Sequence, residues 1–273
     1  MRLQRPDPHA FWSFRHRRIA TEADLPCKSA FLLPALTVSS HRLQPIDPYS
    51  ARLIGRDDAL PAVTQEQLTP ERLRQRFASQ PSWTPELFED SLRLHAQPLR
   101  GAAVLIALVQ RRQGLQVLLT RRNLHLHEHA GQISFPGGRC DRQDLHPAAT
   151  ALREAHEEIG LRPAGAEILG TLPLYCTASR YAVTPVVALV SGAEGLQPHP
   201  DEVSELFEVP LAFLMDPRHH EHREWTMQSN APVNPIPLRR RFLVMPYVVD
   251  DRSYVIWGAT AAMLRNLYRL LIA

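Results

Sequence analysis

Three carboxylates behind a double glycine constrain this chain more than any other stretch of its sequence. Gly137-Gly138 is followed by Arg153-Glu154-Ala155-His156-Glu157-Glu158-Ile159-Gly160, where Glu154, Glu157 and Glu158 stand at i, i+3 and i+4. On a helix that spacing puts all three acids on one face within a turn, where like charges repel. Such a face is stable when it is solvated or when cations neutralise it, and oxygen ligands gathered on one face suit a hard divalent ion. For the acidic segment alone, a solvated face with Arg153 as an ordinary ion-pair partner is the competing explanation. The glycines argue against it, because they let backbone amides approach a phosphate closely, and Gly160 gives the helix a natural stop. A glycine-rich loop leading into such a helix is an arrangement for a diphosphate and a metal ion.

The surrounding texture is that of an α/β (α+β) chain. Ala102–Val109 is a continuous apolar run of strand length, and Leu115–Thr120 follows it as the second arm of a hairpin. A helix is expected from Pro147 to Ile159, with strands at Glu167–Leu174, Val183–Val190, Phe242–Val249 and Tyr254–Ile256. A short helix is expected at Leu211–Met215, and Arg218–Pro237 reads as a polar loop. From Gly258 to Leu271, the residues Met263, Leu264, Leu267, Leu270 and Leu271 form a one-sided helical stripe. Upstream, residues 1–45 mix Pro, Arg and His without periodicity and read as a poorly ordered extension. Residues 46–96 read as a small helical preface, because Thr69-Pro70 and Thr84-Pro85 each place an N-cap before a proline at the first helical position. Residues 97–273 are then expected to form one compact domain.

The ordering GG…REAHEEIGL resembles the Nudix box, G-x5-E-x7-R-E-U-x-E-E-x-G-U with U aliphatic. Here Asp144 stands at the first Glu, and eight residues rather than seven precede Arg153. Asp141, Asp144 and Thr150–Ala155 are similar to the coenzyme A diphosphatase branch of that family. So is the run Leu118-Leu119-Thr120-Arg121-Arg122-Asn123 with Gly131 and Phe135-Pro136-Gly137-Gly138, set against LLTxR[S/A]xxxRxxxGxxxFPGG. Asn123 replaces the pattern's Ser or Ala, and His127 replaces its Arg. An Arg can fork onto a phosphate at any pH, whereas His127 offers one weaker, pH-dependent donor. The resemblance implies the Nudix fold, a mixed β-sheet sandwiched between α-helices, and Mg2+ or Mn2+ as cofactor. It implies Glu154, Glu157 and Glu158 as metal ligands and Arg153 as the residue that orients one of those carboxylates. Gly137, Gly138, Arg122 and His127 would lie against substrate, and Glu154 and Glu202 are both candidates for the general base. The implied reaction is cleavage of coenzyme A or acyl-CoA to 3′,5′-ADP and (acyl-)4′-phosphopantetheine. Another nucleoside diphosphate derivative is the alternative substrate, and a nucleotide-binding module without turnover is the alternative class.

Other features have plainer readings. His125, His127 and His129 alternate like metal ligands on a strand but suit a loop beside a phosphate site. His219, His220 and His222 read as a solvated loop, and Arg239-Arg240-Arg241 as either an anion contact or a strand entry facing solvent. Trp257 reads as core. Charges of both signs are mixed, with 31 basic and 28 acidic residues, and the basic ones lack the aromatic interleaving of single-strand platforms. The expected partner is therefore a small diphosphate rather than nucleic acid or membrane, with a homodimer left open. Cys27, Cys140 and Cys176 form no CxxC pair, which fits a reducing cytoplasm. The arginine-rich N-terminus lacks an apolar segment with a small-residue cleavage site, so no secretory signal is expected, while a transit peptide stays open.

Overall fold

Strand β2 (Arg100–Arg111) shows why an uninterrupted apolar run need not be a helix. In the computed structural model, Ala103, Leu105, Ala107 and Val109 pack on one side with Ala151, Ala155 and Ile159, while Ile106 and Leu108 join Leu264 and Leu267 on the other. A strand buried on both faces needs apolar residues at every position, so its period-two signal disappears. Residues 47–88, 98–126, 129–227 and 238–273 are described. All lie in the second of two units, Gln44–Ala273; the first, Met1–Leu43, and with it the expected N-terminal extension, lies outside the described residues.

In chain order the elements are β1 (Arg52–Arg56), α1 (Pro70–Ser79), β2, β3 (Gly114–Arg122), β4 (Ile133–Ser134), β5 (Gly137–Arg139), α2 (Pro147–Ile159), β6 (Ala166–Thr171) and β7 (Tyr175–Cys176). There follow β8 (Tyr181–Val190), β9 (Val203–Pro210), α3 (Leu211–Leu214), β10 (Glu221–Met227), β11 (Leu238–Val249), β12 (Arg252–Trp257) and α4 (Gly258–Ile272). An eight-stranded mixed sheet runs β4-β3-β2-β8-β6, with β5 on β2, β7 on β8 and β9 on β3. Its central pair, β2 and β8, is parallel. Helix α2 covers one face. On the other face α4 shares a core with Leu243 and Met245 of β11 and Ile256 of β12. These two strands belong to a four-stranded antiparallel sheet, β1-β10-β11-β12. The mixed sheet between helices is the expected architecture; the second sheet was not anticipated.

Helix α2 has the predicted bounds, starting at Pro147 and stopped by Gly160 at φ +71°. Helix α1 starts as predicted, with the Thr69 hydroxyl accepting from Arg72 N. Four expectations need correction. The Thr84-Pro85 start leads to no helix in residues 81–88. That stretch is instead held to α4, with Glu86 N donating to Asn266 Oδ1 at 2.8 Å and Asn266 Nδ2 donating back to Glu86 O at 3.1 Å. The supposed loop from Arg218 contains β10, and the segment read as a helical preface contributes β1 as well as α1. The stripe on α4 is not one-sided, because Arg265 and Asn266 are buried as well.

The histidines near residue 220 are not a solvated loop either. His220 is fully buried. Arg265 Nη1 can only donate, so His220 Nδ1 accepts from it at 3.1 Å and Nε2–H donates to Leu214 O at 2.8 Å. His222 Nε2 meets Asp57 Oδ2 at 2.8 Å, and His219 stacks on Phe213. Burial pushes the His220 pKa down from 6.5 to about 4. The folded state thus refuses a proton that the unfolded state takes up near 6.5, and His220's contribution, whole above that pH, is lost as pH falls toward 4. It amounts to on the order of 3 kcal/mol. Urea unfolding between pH 7 and 4 should therefore show a steeper loss of stability in the wild type than in His220→Gln, whose amide keeps one donor and one acceptor; equal slopes would refute this.

Candidate active site

Gly137 leaves no room for a side chain in the loop that meets α2, and a side chain on Gly138 would displace the Glu154 carboxylate. A Cβ on Gly137 would sit 2.4 Å from Ala103 O, and one on Gly138 would sit 2.5 Å from the Glu154 carboxylate. β5 is thereby pressed against β2, and Glu154 lies on the glycine backbone. Gly137 N donates to Glu158 Oε2 at 3.1 Å. The loop and the helix thus share two of the three glutamates, as their order in the sequence suggested.

Arg153 organises the rest. Its Nε and Nη2 fork onto Asp144 at 3.1 and 2.9 Å, Nη2 also donates to Arg139 O at 3.0 Å, and Nη1 reaches Glu154 Oε1 at 2.9 Å and Glu157 Oε2 at 3.0 Å. The Arg153 hydrogen bonds hold Asp144 far below the usual carboxylate range. Asp144, legible in the sequence only as a departure from the box, is the anchor of the arginine that orients two glutamates. Asp141 N donates to the same carboxylate at 2.9 Å and closes the loop.

The three helix carboxylates differ in exposure. Glu158 is buried, Glu154 mostly so, and Glu157 is open to solvent. Burial pushes Glu158 up to about 7, with Glu202 and Glu154 adding repulsion and Arg122 opposing it; burial likewise raises Glu154 against the pull of Arg153. Glu202 is exposed on the turn before β9, and its charge acts on both Glu154 and Glu158. Arg122, at the end of β3, acts on Glu158, and its buried Nε has no hydrogen-bond partner among the described residues. Arg122, Arg153, Glu154, Glu157, Glu158, Glu202, Gly137 and Gly138 are therefore brought to one place. His127 lies outside the described residues.

Among the described residues no three Asp, Glu, His or Cys side chains converge as a ready metal cage. Glu154 and Glu157 turn to Arg153, and Glu158 turns to the Gly137 amide. The donor set nevertheless fits a divalent ion. Hard oxygen ligands crowd together against burial and mutual repulsion, and a cation relieves both. The other candidates find plainer uses. His125 and His129 are exposed on the loop, the latter paired with Gln132 at 2.8 Å. Arg241 pairs with Glu224 of β10 at 3.0 Å, and Trp257 packs edge-on against Phe242.

A family profile described as "NUDIX domain" matches residues 99–228. The Escherichia coli K12 protein described as "Uncharacterized Nudix hydrolase NudL" is 39% identical over 171 residues, covering 62% of this chain and 81% of that protein. Its Shigella flexneri counterpart is 38% identical over 179 residues, covering 64% and 85% respectively. The chain belongs to the Nudix hydrolase family. Among solved structures, the Nudix hydrolase RenU from M. smegmatis matches with a TM-score of 0.38 at 25% identity, covering 50% of this chain and 85% of that one. As a Nudix hydrolase the chain acts on phosphoric anhydrides, and Nudix hydrolases generally use divalent metal ions. Among the described residues no helix is long and apolar enough to cross a membrane.

Proposed function

We propose that this Nudix hydrolase cleaves the diphosphate of coenzyme A or an acyl-CoA, releasing 3′,5′-ADP and (acyl-)4′-phosphopantetheine. The observation that carries the reading is the gathering of Arg122, Gly137 and Gly138, all from the coenzyme A-type stretch 118–138, against Glu154 and Glu158 of the box helix. Glu154, Glu157 and Glu158 would hold Mg2+ or Mn2+. Such an ion, when bound, polarises phosphoryl oxygens and lowers the pKa of a coordinated water. Arg153, fixed by the Asp144 fork, keeps the Glu154 and Glu157 carboxylates in place. Arg122 supplies a positive charge whose Nε is left without a partner, a donor suited to a substrate phosphate. Glu202 and Glu154 are the two candidates for taking the proton of the attacking water.

A second substrate class, another nucleoside diphosphate derivative such as a dinucleotide or nucleotide sugar, is favoured by His127 at the position where the branch pattern has Arg. Incubating the protein with coenzyme A and Mg2+ or Mn2+, and resolving products by chromatography, separates the two. Release of 3′,5′-ADP is the expected outcome. Turnover of a dinucleotide or nucleotide sugar with coenzyme A left intact would move the assignment to the second class.

A further inference from the structure

The turn that carries Glu202 is held from two sides. Toward α2, His199 N donates to Glu158 O at 2.7 Å, and Glu202 N and Val203 N both donate to His199 O, at 3.1 and 2.9 Å. Toward β3, Asn123 N donates to Glu202 O at 2.8 Å, and the Asn123 side chain, through Nδ2, donates to Pro200 O at 2.7 Å. The pairing of β3 with β9 changes register at this place. Arg121 faces Glu205 and Arg122 faces Val203, so Ser204 is the extra residue of a bulge, and its hydroxyl donates to Arg121 O at 3.1 Å. Bulges re-aim the side chains beside them. Here the flanking residues are Arg122 and, one further along, Glu202.

Asn123 differs from the coenzyme A-type pattern, which has Ser or Ala at this position. Its backbone bond to Glu202 is available to any residue. The Nδ2 bond is not, since Ala has no donor and Ser is one atom shorter. We infer that Asn123 is a positioning residue, which clamps the Pro200–Glu202 turn through its side chain and so fixes the Glu202 carboxylate opposite Glu154 and Glu158. It touches no substrate and acts only through Glu202. The inference rests on the hydrolase reading above, because it requires Glu202 to serve the reaction.

A double-mutant cycle tests it, run on whichever diphosphate the wild type turns over best with Mn2+. Asn123→Ala should lower kcat about tenfold with KM nearly unchanged, the size expected when one hydrogen bond of a positioned group is lost. Asn123→Asp, of equal size but with an oxygen facing Pro200 O, should lose at least as much. In a Glu202→Gln background, the loss on adding Asn123→Ala should shrink to less than twofold, because the residue it positions has already been disabled. A purely structural role would lower thermal stability and give losses that multiply. Multiplying losses, or wild-type kcat in Asn123→Ala, would overturn this inference alone. A wild type that turns over no diphosphate would overturn it together with the hydrolase reading.

Discussion

Glu157→Gln is expected to lower kcat for diphosphate hydrolysis by about 10³-fold, the size seen when a single group that stabilises transition-state charge is removed. The same change should leave thermal stability almost untouched. Glu157 is the exposed member of the three box carboxylates, with 56% of its side chain open, and it pairs on the surface with Arg153 at 3.0 Å. Exposed pairs contribute little. Glu158 is less suited to the experiment, because it is buried and holds the Gly137 amide, so its replacement would mix folding with chemistry. Gln keeps the length and shape of Glu157 and removes only the charge and hard anionic oxygens. Activity measured across a Mn2+ titration, beside a melting curve, separates the outcomes. A large fall in kcat with weaker Mn2+ dependence and unchanged melting identifies a ligand. Activity within a few-fold of wild type would mean that Glu157 is a solvated acid and that the metal, if bound, relies on the other carboxylates.

What could be read in the sequence was what is local along the chain. Helix α2 was legible to the residue because a proline starts it, a glycine stops it, and its three glutamates declare their shared face by spacing alone. Strands β2 and β8 were legible as apolar runs. β10 was not, since Glu-His-Arg-Glu-Trp-Thr-Met looks like a solvated loop. It forms a strand because Glu221 is met by Arg56 and Arg223, and Glu224 by Arg52 and Arg241, arginines that come from neighbouring strands or from β10 itself. Buried charges of this kind become intelligible only when their partners are known. In the site the same divide holds. Glu154, Glu157, Glu158 and the glycine loop were visible as a motif. The anchoring of Arg153 by Asp144 and the clamp of Asn123 on Pro200 were not, because each depends on where separate segments meet.

Arg265→Met should be the most destabilising single change outside the site, lowering unfolding free energy by about 3 kcal/mol. Met keeps the length of the stem, so packing in α4 is largely preserved and the charge is what is lost. Arg265 is buried and joins four stretches of chain. Nε donates to Glu86 at 2.8 Å, Nη2 lies 3.0 Å from Asp57, Nη1 donates to His220 at 3.1 Å, and the guanidinium carbon lies 5.1 Å from the Tyr268 ring centroid on its own helix. Removing it leaves Asp57 to His222 at 2.8 Å, Glu86 without its cation, and His220 Nδ1 without the Arg265 donor. Both carboxylates retain some access to water, with 21% and 29% of their side chains exposed, which sets the loss at the lower end of the range for breaking a buried ion pair. Urea unfolding of Arg265→Met reads the loss directly. Adding Glu86→Gln should restore part of it, since the second change removes one of the stranded charges. A loss below about 1 kcal/mol, the size of an exposed pair, would show that water already screens the cluster. The asparagine next to Arg265 would then be what keeps residues 84–88 on α4.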